Sequence, residues 1–207
     1  MTLIVRSPGG LGAGHDVDCA SPAEIFVIDG GRPLSGTVRI GGAKNAALPI
    51  LAACLLTRER CVLRNIPDIQ DIHSMIQLLQ FIGATVEPRD DGGIAIQAGD
   101  INPYGTPEAI MRRMRASFLV MGPLLGRTGE GQAPHPGGCA IGVRPVNVDI
   151  RGFIAMGASI TQSNGNYVAI APKEGLHGAS IYLDYPSHTG TENLMMAAVL
   201  ARGKTVI

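Results

Sequence analysis

The sequence predicts an α/β fold that is built from a repeated unit. The segments LQFIGAT (79–85) and FIAMGAS (153–159) match at an offset of 74 residues, and IAI (94–96) matches VAI (168–170) at the same offset. Two matches at one offset indicate an internal repeat. Each repeat is predicted to run from a helix through a Gly-Ala turn into a strand, a short hairpin and a second strand.

The segments that precede the first repeat differ in character. Residues 1–22 are rich in Gly, Pro, Asp and Ser without periodicity, so we expect a loose N-terminal extension. Residues 24–40 (EIFVIDGGRPLSGTVRI) predict two strands around a Gly-Gly-Arg-Pro turn. An apolar helix follows, and because Pro49 is tolerated only in a first helical turn, this helix should begin near Ala46.

Two more apolar helices are predicted further along the chain. The stretch ASFLVMGPLLGR follows Arg115, and Arg127 at its end is expected to bond the last carbonyls of that helix. The third helix lies within YPSHTGTENLMMAAVLARG, where Thr189 and Glu192 have capping-box spacing. Residues 204–207 (KTVI) predict the start of a strand. We therefore expect two full repeats and a third repeat that is truncated.

Composition excludes several classes of function. The chain has 45% apolar residues, 17 basic and 17 acidic residues, and 4% aromatic residues, so it is globular and has no charge footprint for nucleic acid or an anionic membrane. No uninterrupted apolar stretch is long enough to span a bilayer, and the N-terminus lacks the apolar core of a signal peptide. We expect a cytoplasmic protein with reduced thiols. No zinc spacing is present, so no metal is expected. No cofactor is expected either.

Three basic residues are candidates for binding an anion. Lys44 follows two glycines at a predicted helix start, where the helix dipole and free N–H groups favour negative charge. Arg115 takes the equivalent place before the second helix, and Arg144 lies between a glycine-rich stretch and Pro145. The alternative for Lys44 and for the cluster at 112–115 is an ordinary solvated basic residue.

Cys139 is the candidate reactive group. It lies in HPGGCAIGVRP (135–145), whose glycines and prolines predict an irregular loop. A loop gives a thiol access and mobility, and nearby cations such as Arg144 would lower its pKa and raise its reactivity. The alternative is a small apolar side chain that fills the space beneath a turn.

Four long motifs now suggest a family. GGAKNAALPILAACLL, MRASFLVMGPLLGR, PGGCAIGVRPV and PSHTGTENLMMAA occur in this order. Together they resemble the N-terminal half of the UDP-N-acetylglucosamine 1-carboxyvinyltransferases, a family of enolpyruvyl transferases, over about residues 24–207. The resemblance implies an inside-out α/β barrel of two domains, built from repeated βαβαββ units. On that basis residues 23–42 belong with a second domain that is mostly missing, and residues 43–207 form a first domain that is incomplete at its C-terminus.

The resemblance also implies a reaction. The 3-hydroxyl of UDP-N-acetylglucosamine adds to C2 of phosphoenolpyruvate and phosphate then leaves, as the first committed step of peptidoglycan precursor synthesis. Cys139 would donate a proton from a loop that closes over substrate, with Lys44 and Arg144 as further catalytic residues. The residues that the resemblance assigns to substrate binding are Lys44, Asn45, Arg115, Arg144, Pro145, Val146, Asn147, Val148, Tyr185, Pro186, Ser187 and His188.

The chain departs from the family pattern at three points. The family's general base, an aspartate, lies in the second half and is absent from this chain. Asn147 stands where an aspartate is more usual, and His188-Thr189 replaces a more usual Val-Gly pair. Two alternatives therefore remain open. One is a 3-phosphoshikimate 1-carboxyvinyltransferase, which we do not expect to carry the PGGC loop; the other is a truncated, catalytically incompetent relative that acts as a binding module.

Overall fold

The computed structural model of the chain describes residues 2–6, 25–31, 33–112, 114–136 and 145–207. The chain divides into two compact units, Met1–Ile40 and Gly41–Ile207. The predicted repeats and the candidate site fall within the larger unit.

The described residues of the smaller unit include an antiparallel strand pair. β1 (Thr2–Arg6) pairs with β2 (Ile25–Asp29), so that Thr2 faces Asp29. The prediction of two strands within residues 24–40 is wrong in its second half, because residues 33–40 contain no strand. Residues 33–40 are all exposed, so this stretch buries no apolar face of the kind that stabilises a strand. β2 instead pairs with residues from the segment expected to be a loose extension.

The first repeat has a core helix, an outer helix and a three-stranded antiparallel sheet. The elements of this repeat in chain order are α1 (Lys44–Ala53), a 3-10 helix (Cys54–Leu56), β3 (Cys61–Leu63), α2 (Gln70–Ile82), β4 (Thr85–Pro88) and β5 (Ile94–Gln97). Strand β5 lies in the centre of the sheet, between β3 and β4.

The second repeat has the same arrangement. The elements of the second repeat are α3 (Glu108–Met111), a 3-10 helix (Arg115–Val120), α4 (Met121–Thr128), β6 (Glu130–Pro134), α5 (Asn147–Ala155), β7 (Ser159–Ser163) and β8 (Asn166–Ile170). Strand β8 lies between β6 and β7, and both pairings are antiparallel.

The predicted Gly-Ala turns end the outer helices α2 and α5. Gly83 has a φ of 113° and Gly157 a φ of 95°, the left-handed conformation that glycine adopts without steric cost. The next residue closes each turn, because Ala84 N donates to Leu79 O at 2.9 Å and Ala158 N donates to Phe153 O at 3.0 Å. The 74-residue repeat is thereby confirmed.

The third core helix, α6 (His188–Val199), is confirmed, but its predicted cap is wrong. Ser187 is the N-cap, and its Oγ accepts from Gly190 N at 3.1 Å. Thr189 therefore lies inside the first turn. Ser187, which lies two residues before Thr189, has the extended backbone that a cap requires, with a φ of -135°. The predicted strand start at 204–207 contributes one isolated parallel bridge, between Val206 and Ser180.

Helix α1 begins two residues before the predicted start. The Ala43 carbonyl accepts from Ala46 N and Ala47 N at 3.2 and 2.9 Å, which places Pro49 sixth in the helix. The bond that Pro49 cannot make is the one to the carbonyl of Asn45, an exposed residue in the first turn. Water can satisfy that carbonyl, so the proline is tolerated.

Arg127 was expected to bond the last carbonyls of its own helix, but it bonds carbonyls elsewhere in the fold. Its Nη1 donates to Leu55 O at 2.8 Å and to Thr57 O at 3.0 Å, and its Nη2 donates to Gly99 O at 2.7 Å. The guanidinium therefore satisfies carbonyls at the end of the first core helix and after β5. Partial burial lowers the pKa of Arg127.

The core lies between the three core helices and the outer layer of the two repeats. Helix α4 lies close to α6: a Cβ at Gly122 would lie 2.2 Å from Asn193 O, and one at Gly126 would lie 3.2 Å from Ala197 O.

Cys54 is buried beside α1, and its burial together with nearby Cys61 raises the pKa of the thiol to about 12. None of the helices in the described part of the chain has the length and apolarity needed to cross a bilayer.

Candidate functional site

Residues from three separate segments meet at the carbonyl group of Pro145. Arg115, at the start of its 3-10 helix, donates from Nη2 to Pro145 O at 2.7 Å. The Tyr185 hydroxyl lies 3.5 Å from the same oxygen and donates to Asn147 Oδ1 at 3.1 Å. The structure thus places four residues of the predicted binding set side by side. We call Arg115, Pro145, Asn147 and Tyr185 the Pro145 cluster.

The first turns of α5 and α6 pack against each other beside this cluster. A Cβ at Gly190 would lie 2.7 Å from a methyl group of Val148, so only glycine allows this approach. Val146 and Val148 are buried at 2% and 3% exposure, and their side chains belong to the core. They therefore offer a ligand little more than their backbone groups and the apolar surface of Val148. Pro186 and His188 are exposed at the start of α6.

Lys44 and Asn45 form the start of α1, where both are exposed. The preceding glycine is required for chain geometry, because a Cβ at Gly42 would lie 1.9 Å from Asn65 O. The Lys44 ammonium lies 2.9 Å from the Asp71 carboxylate. Helix α1 also packs against the 3-10 helix of Arg115 and against α6. An anion bound at Lys44 would compete with Asp71.

Two of the predicted catalytic residues, Cys139 and Arg144, lie outside the described residues. Their roles remain predictions. The flanking residues are described: His135 and Pro136 follow β6, and Pro145 precedes α5.

The sequence reasoning missed a buried polar pair, Asp149 and Asn193. Asp149 lies in the first turn of α5 with 3% exposure, and Asn193 on α6 is fully buried. Asn193 Nδ2 donates to Asp149 Oδ1 at 2.7 Å. Burial raises the pKa of the Asp149 carboxyl, while the hydrogen bond from Asn193 and the charge of Arg115 oppose that rise.

A cavity of about 270 Å³ opens next to the α5 side of this region. Helix α5 contributes Val148, Arg151 and Ala155, and residues 180–184 form the other wall. Arg151 forms an ion pair with Asp184 across it. The whole region therefore offers guanidinium, amide and hydroxyl groups to a polar, anionic ligand. Among the residues that the structure describes, no group of three His, Cys, Asp or Glu side chains could hold a metal ion.

Comparison with known proteins gives a consistent picture. The family model of EPSP synthase (3-phosphoshikimate 1-carboxyvinyltransferase) matches residues 28–207. A UDP-N-acetylglucosamine 1-carboxyvinyltransferase of Idiomarina loihiensis is 50% identical over 182 residues, which are 88% of this chain and 43% of that protein. The enzyme of the same name from Gluconacetobacter diazotrophicus is 52% identical over 183 residues, again 88% and 43%. The chain spans less than half the length of these curated relatives.

Solved structures with low sequence identity share the fold. The enolpyruvyl transferase NikO from Streptomyces tendae is similar with a TM-score of 0.69 at 18% identity, over 85% of this chain and 41% of that one. EPSP synthase from Acinetobacter baumannii gives a TM-score of 0.62 at 19% identity, over 82% of this chain and 39% of that one. The predicted α/β class is confirmed by these neighbours. The inside-out barrel and the truncation in the third repeat remain predictions.

Proposed function

The chain belongs to the EPSP synthase family of enolpyruvyl transferases, and from that premise we propose that it is part of an enzyme that acts on UDP-N-acetylglucosamine. The proposed reaction transfers the enolpyruvyl group of phosphoenolpyruvate to the sugar 3-hydroxyl and releases phosphate. The observation that carries this choice is the identity of 50% over 182 residues to a relative named for that reaction.

The proposed chemistry has two stages. In the addition, the sugar oxygen loses its proton to a base and bonds to C2 of phosphoenolpyruvate, while an acid protonates C3. In the elimination, C3 loses a proton and the C2–O bond to phosphate breaks. The resemblance assigns the acid to Cys139 and the base to an aspartate in the second half of the family's proteins. Proton transfer of this kind is general acid–base catalysis.

The described residues support the binding part of this reaction. The bond from Arg115 to Pro145 O fixes a guanidinium next to the first turns of α5 and α6. A guanidinium suits phosphate and carboxylate groups, and an oriented one binds them with less loss of side-chain entropy. Tyr185 and Asn147 add hydroxyl and amide groups for the sugar nucleotide. Lys44 and Asn45 would hold phosphoenolpyruvate at the start of α1.

Further parts of the proposal follow from the same premise. They are a two-domain inside-out barrel, a cytoplasmic location, no cofactor, and a place in peptidoglycan precursor synthesis. A general base from the rest of such a barrel would complete the site.

Calorimetric titration of the 207-residue chain with UDP-N-acetylglucosamine and with shikimate 3-phosphate tests the substrate class. We expect binding of the UDP-sugar alone, and protection of Cys139 from alkylation by that ligand. Arg115→Ala should weaken binding by at least about tenfold, as expected for a lost guanidinium–phosphate contact. Arg112→Ala is the matched control, since Arg112 is exposed and pairs with Glu108.

Two results would contradict the proposal. Binding of shikimate 3-phosphate alone would identify the sister activity that the family model is named for. Binding of neither compound would show that the chain is not competent for substrate.

A further inference from the structure

The segment between Ile181 and the cap of α6 carries part of the candidate site, and few backbone bonds hold it. Ile181 N donates to Val206 O at 2.8 Å. The next backbone bonds within the described part of the chain are those of Ser187, at the cap of α6. Leu183 is partly buried against the core, and the residues on either side of it are exposed. The position of this segment therefore depends on contacts that its exposed side chains make.

Two neighbouring side chains of the segment bind one face of α5. Asp184 forms an ion pair with Arg151, and the Tyr185 hydroxyl donates to Asn147 Oδ1 at 3.1 Å. Arg151 is four residues after Asn147, so the two partners lie one turn apart on the same face of the helix. The contacts thus attach two successive residues of the segment to two points of one rigid element.

The space between α5 and residues 180–184 is open rather than filled by side chains. It forms the cavity of about 270 Å³ described above. Protein interiors are normally packed without gaps of this size, and the atoms that line a gap lose their packing contacts. Without the ion pair between Arg151 and Asp184, the segment therefore has room to move.

The ion pair itself contributes little to the stability of the fold. The Arg151 and Asp184 side chains are 67% and 47% exposed, and pairs of this kind add little to the free energy of unfolding. A small contribution is nevertheless enough to select one position of a loosely held segment, because the alternative positions differ little in free energy.

We propose that Arg151 and Asp184 are positioning residues that hold Tyr185 and the residues after it in place for the ligand. The ion pair anchors the segment to α5 directly before Tyr185, and the Tyr185 hydroxyl then reaches Asn147 in the Pro145 cluster. Neither Arg151 nor Asp184 touches the substrate. The effect on ligand binding rests on the proposed function, whereas the effect on the position of Tyr185 does not.

Removing the acid distinguishes positioning from direct binding by Arg151. Asp184→Asn deletes a negative charge beside a site for an anionic ligand, so direct electrostatics would tighten the binding of UDP-N-acetylglucosamine. Positioning has the opposite sign. We expect the dissociation constant to rise about fivefold, the upper end of what an exposed ion pair contributes. Calorimetric titration measures it, and an unchanged or tighter constant would overturn the proposal.

Exchanging the two charges tests whether the pair itself is responsible. Arg151→Glu alone should weaken binding at least as much as Asp184→Asn, whereas Arg151→Glu with Asp184→Arg forms the pair again with opposite polarity. We expect the double variant to return to within about twofold of the wild-type constant, as coupled neighbours do. A double variant as weak as Arg151→Glu would contradict the positioning role.

A control pair in the first repeat accounts for the general effect of surface charge. Glu87→Gln breaks the exposed ion pair of Glu87 with Arg60, and it should leave the dissociation constant unchanged. All of these variants alter exposed side chains, so they should keep the melting temperature of the wild type. A loss of affinity in Glu87→Gln equal to that in Asp184→Asn would overturn the proposal.

A measurement without ligand keeps this inference separate from the proposed function. The chain has four tyrosines, so ¹³C-labelled tyrosine gives few ring signals in NMR spectra, and that of Tyr185 is identified by its loss in Tyr185→Phe. In Arg151→Glu, a change on another element, this signal should move toward that of the exposed Tyr182. In the charge-exchanged variant it should return. If the wild type does not bind UDP-N-acetylglucosamine, the proposed function fails, yet the Tyr185 signal still decides the positioning role. An identical Tyr185 signal in the wild type and in Arg151→Glu would overturn it.

Discussion

The first and second repeats share a backbone plan and differ in what they bury. Each has an outer helix that ends at a glycine of positive φ and leads into a three-stranded antiparallel sheet with the same strand order. The first repeat fills its outer helix interface with apolar side chains such as Met75, whereas the second places Asp149 there. The apolar pattern that the two repeats share therefore specifies the scaffold. Asp149, which breaks this pattern, lies beside the candidate site.

The largest effect is expected when the first repeat is made to resemble the second. Met75→Asp would bury a carboxyl group in a core that is apolar around it, without a partner in the place of Asn193. We expect the free energy of unfolding to fall by at least about 4 kcal/mol, measured by urea denaturation. Met75→Leu, the volume-matched control, should cost less than about 1.5 kcal/mol. A folded Met75→Asp protein of near wild-type stability would show that the two positions are interchangeable.

The close approach of α4 and α6 provides the next test. Gly122→Ala would place a Cβ 2.2 Å from Asn193 O, a backbone atom that cannot move without the helix. We expect a loss of about 3 kcal/mol, at the upper end of overpacking effects. The control is Gly126→Ala, one turn later, where the nearest atom is 3.2 Å away and the loss should be clearly smaller. Equal losses at both glycines would contradict the importance of the Asn193 contact.

The hydrogen bonds of Arg127 link the two repeats, and their loss should have a smaller but measurable effect on stability. Arg127→Met would leave the carbonyls of Leu55, Thr57 and Gly99 without their guanidinium donor. We expect a loss of about 2 kcal/mol in the free energy of unfolding. Arg112→Met, which removes an exposed ion pair with Glu108, should change it by less than about 0.5 kcal/mol. Similar values for both variants would show that the Arg127 bonds do not stabilise the fold.

The smallest effect concerns the pH dependence of the Asp149 position. Because burial raises the pKa of Asp149 above its ordinary 3.8, the ionised form destabilises the native state at neutral pH. Asp149→Asn should therefore have a higher free energy of unfolding than the wild type at pH 7. The difference should shrink as the pH falls through the raised pKa and be lost below the ordinary value. Urea denaturation at a series of pH values measures this, and a difference that grows on acidification would contradict it.

The sequence was informative about the repeated elements for a physical reason. Apolar periodicity and the need for glycine after α2 and α5 are local properties, so a single stretch of sequence predicts them. The pairing of β1 with β2 joins residues that are 19 to 27 positions apart, and no local pattern specifies it. The start of α6 was misjudged because both Ser187 and Thr189 can cap a helix, and the direction of the incoming chain decides between them.

The candidate site was predictable in part. Arg115, Asn147 and Tyr185 came from the motifs, and the structure brings them together. Asp149 and Asn193 were missed because a polar residue in an apolar stretch is usually read as an exposed one. A signal was present nevertheless, since the repeat offset aligns Asp149 with an apolar residue of the first repeat. The roles of Cys139 and Arg144 still rest on the resemblance alone.

The burial of Cys54 has a practical consequence. Its thiol donates to Ile50 O at 3.4 Å, and a pKa of about 12 leaves almost no thiolate at neutral pH. Only thiolates react with alkylating reagents, so Cys54 should not be alkylated for as long as the first repeat stays folded around it. Modification at Cys54, located by mass spectrometry, must then proceed through opening of that region. The rate of Cys54 alkylation therefore reports how often this part of the core opens, and no label has to be introduced into the protein.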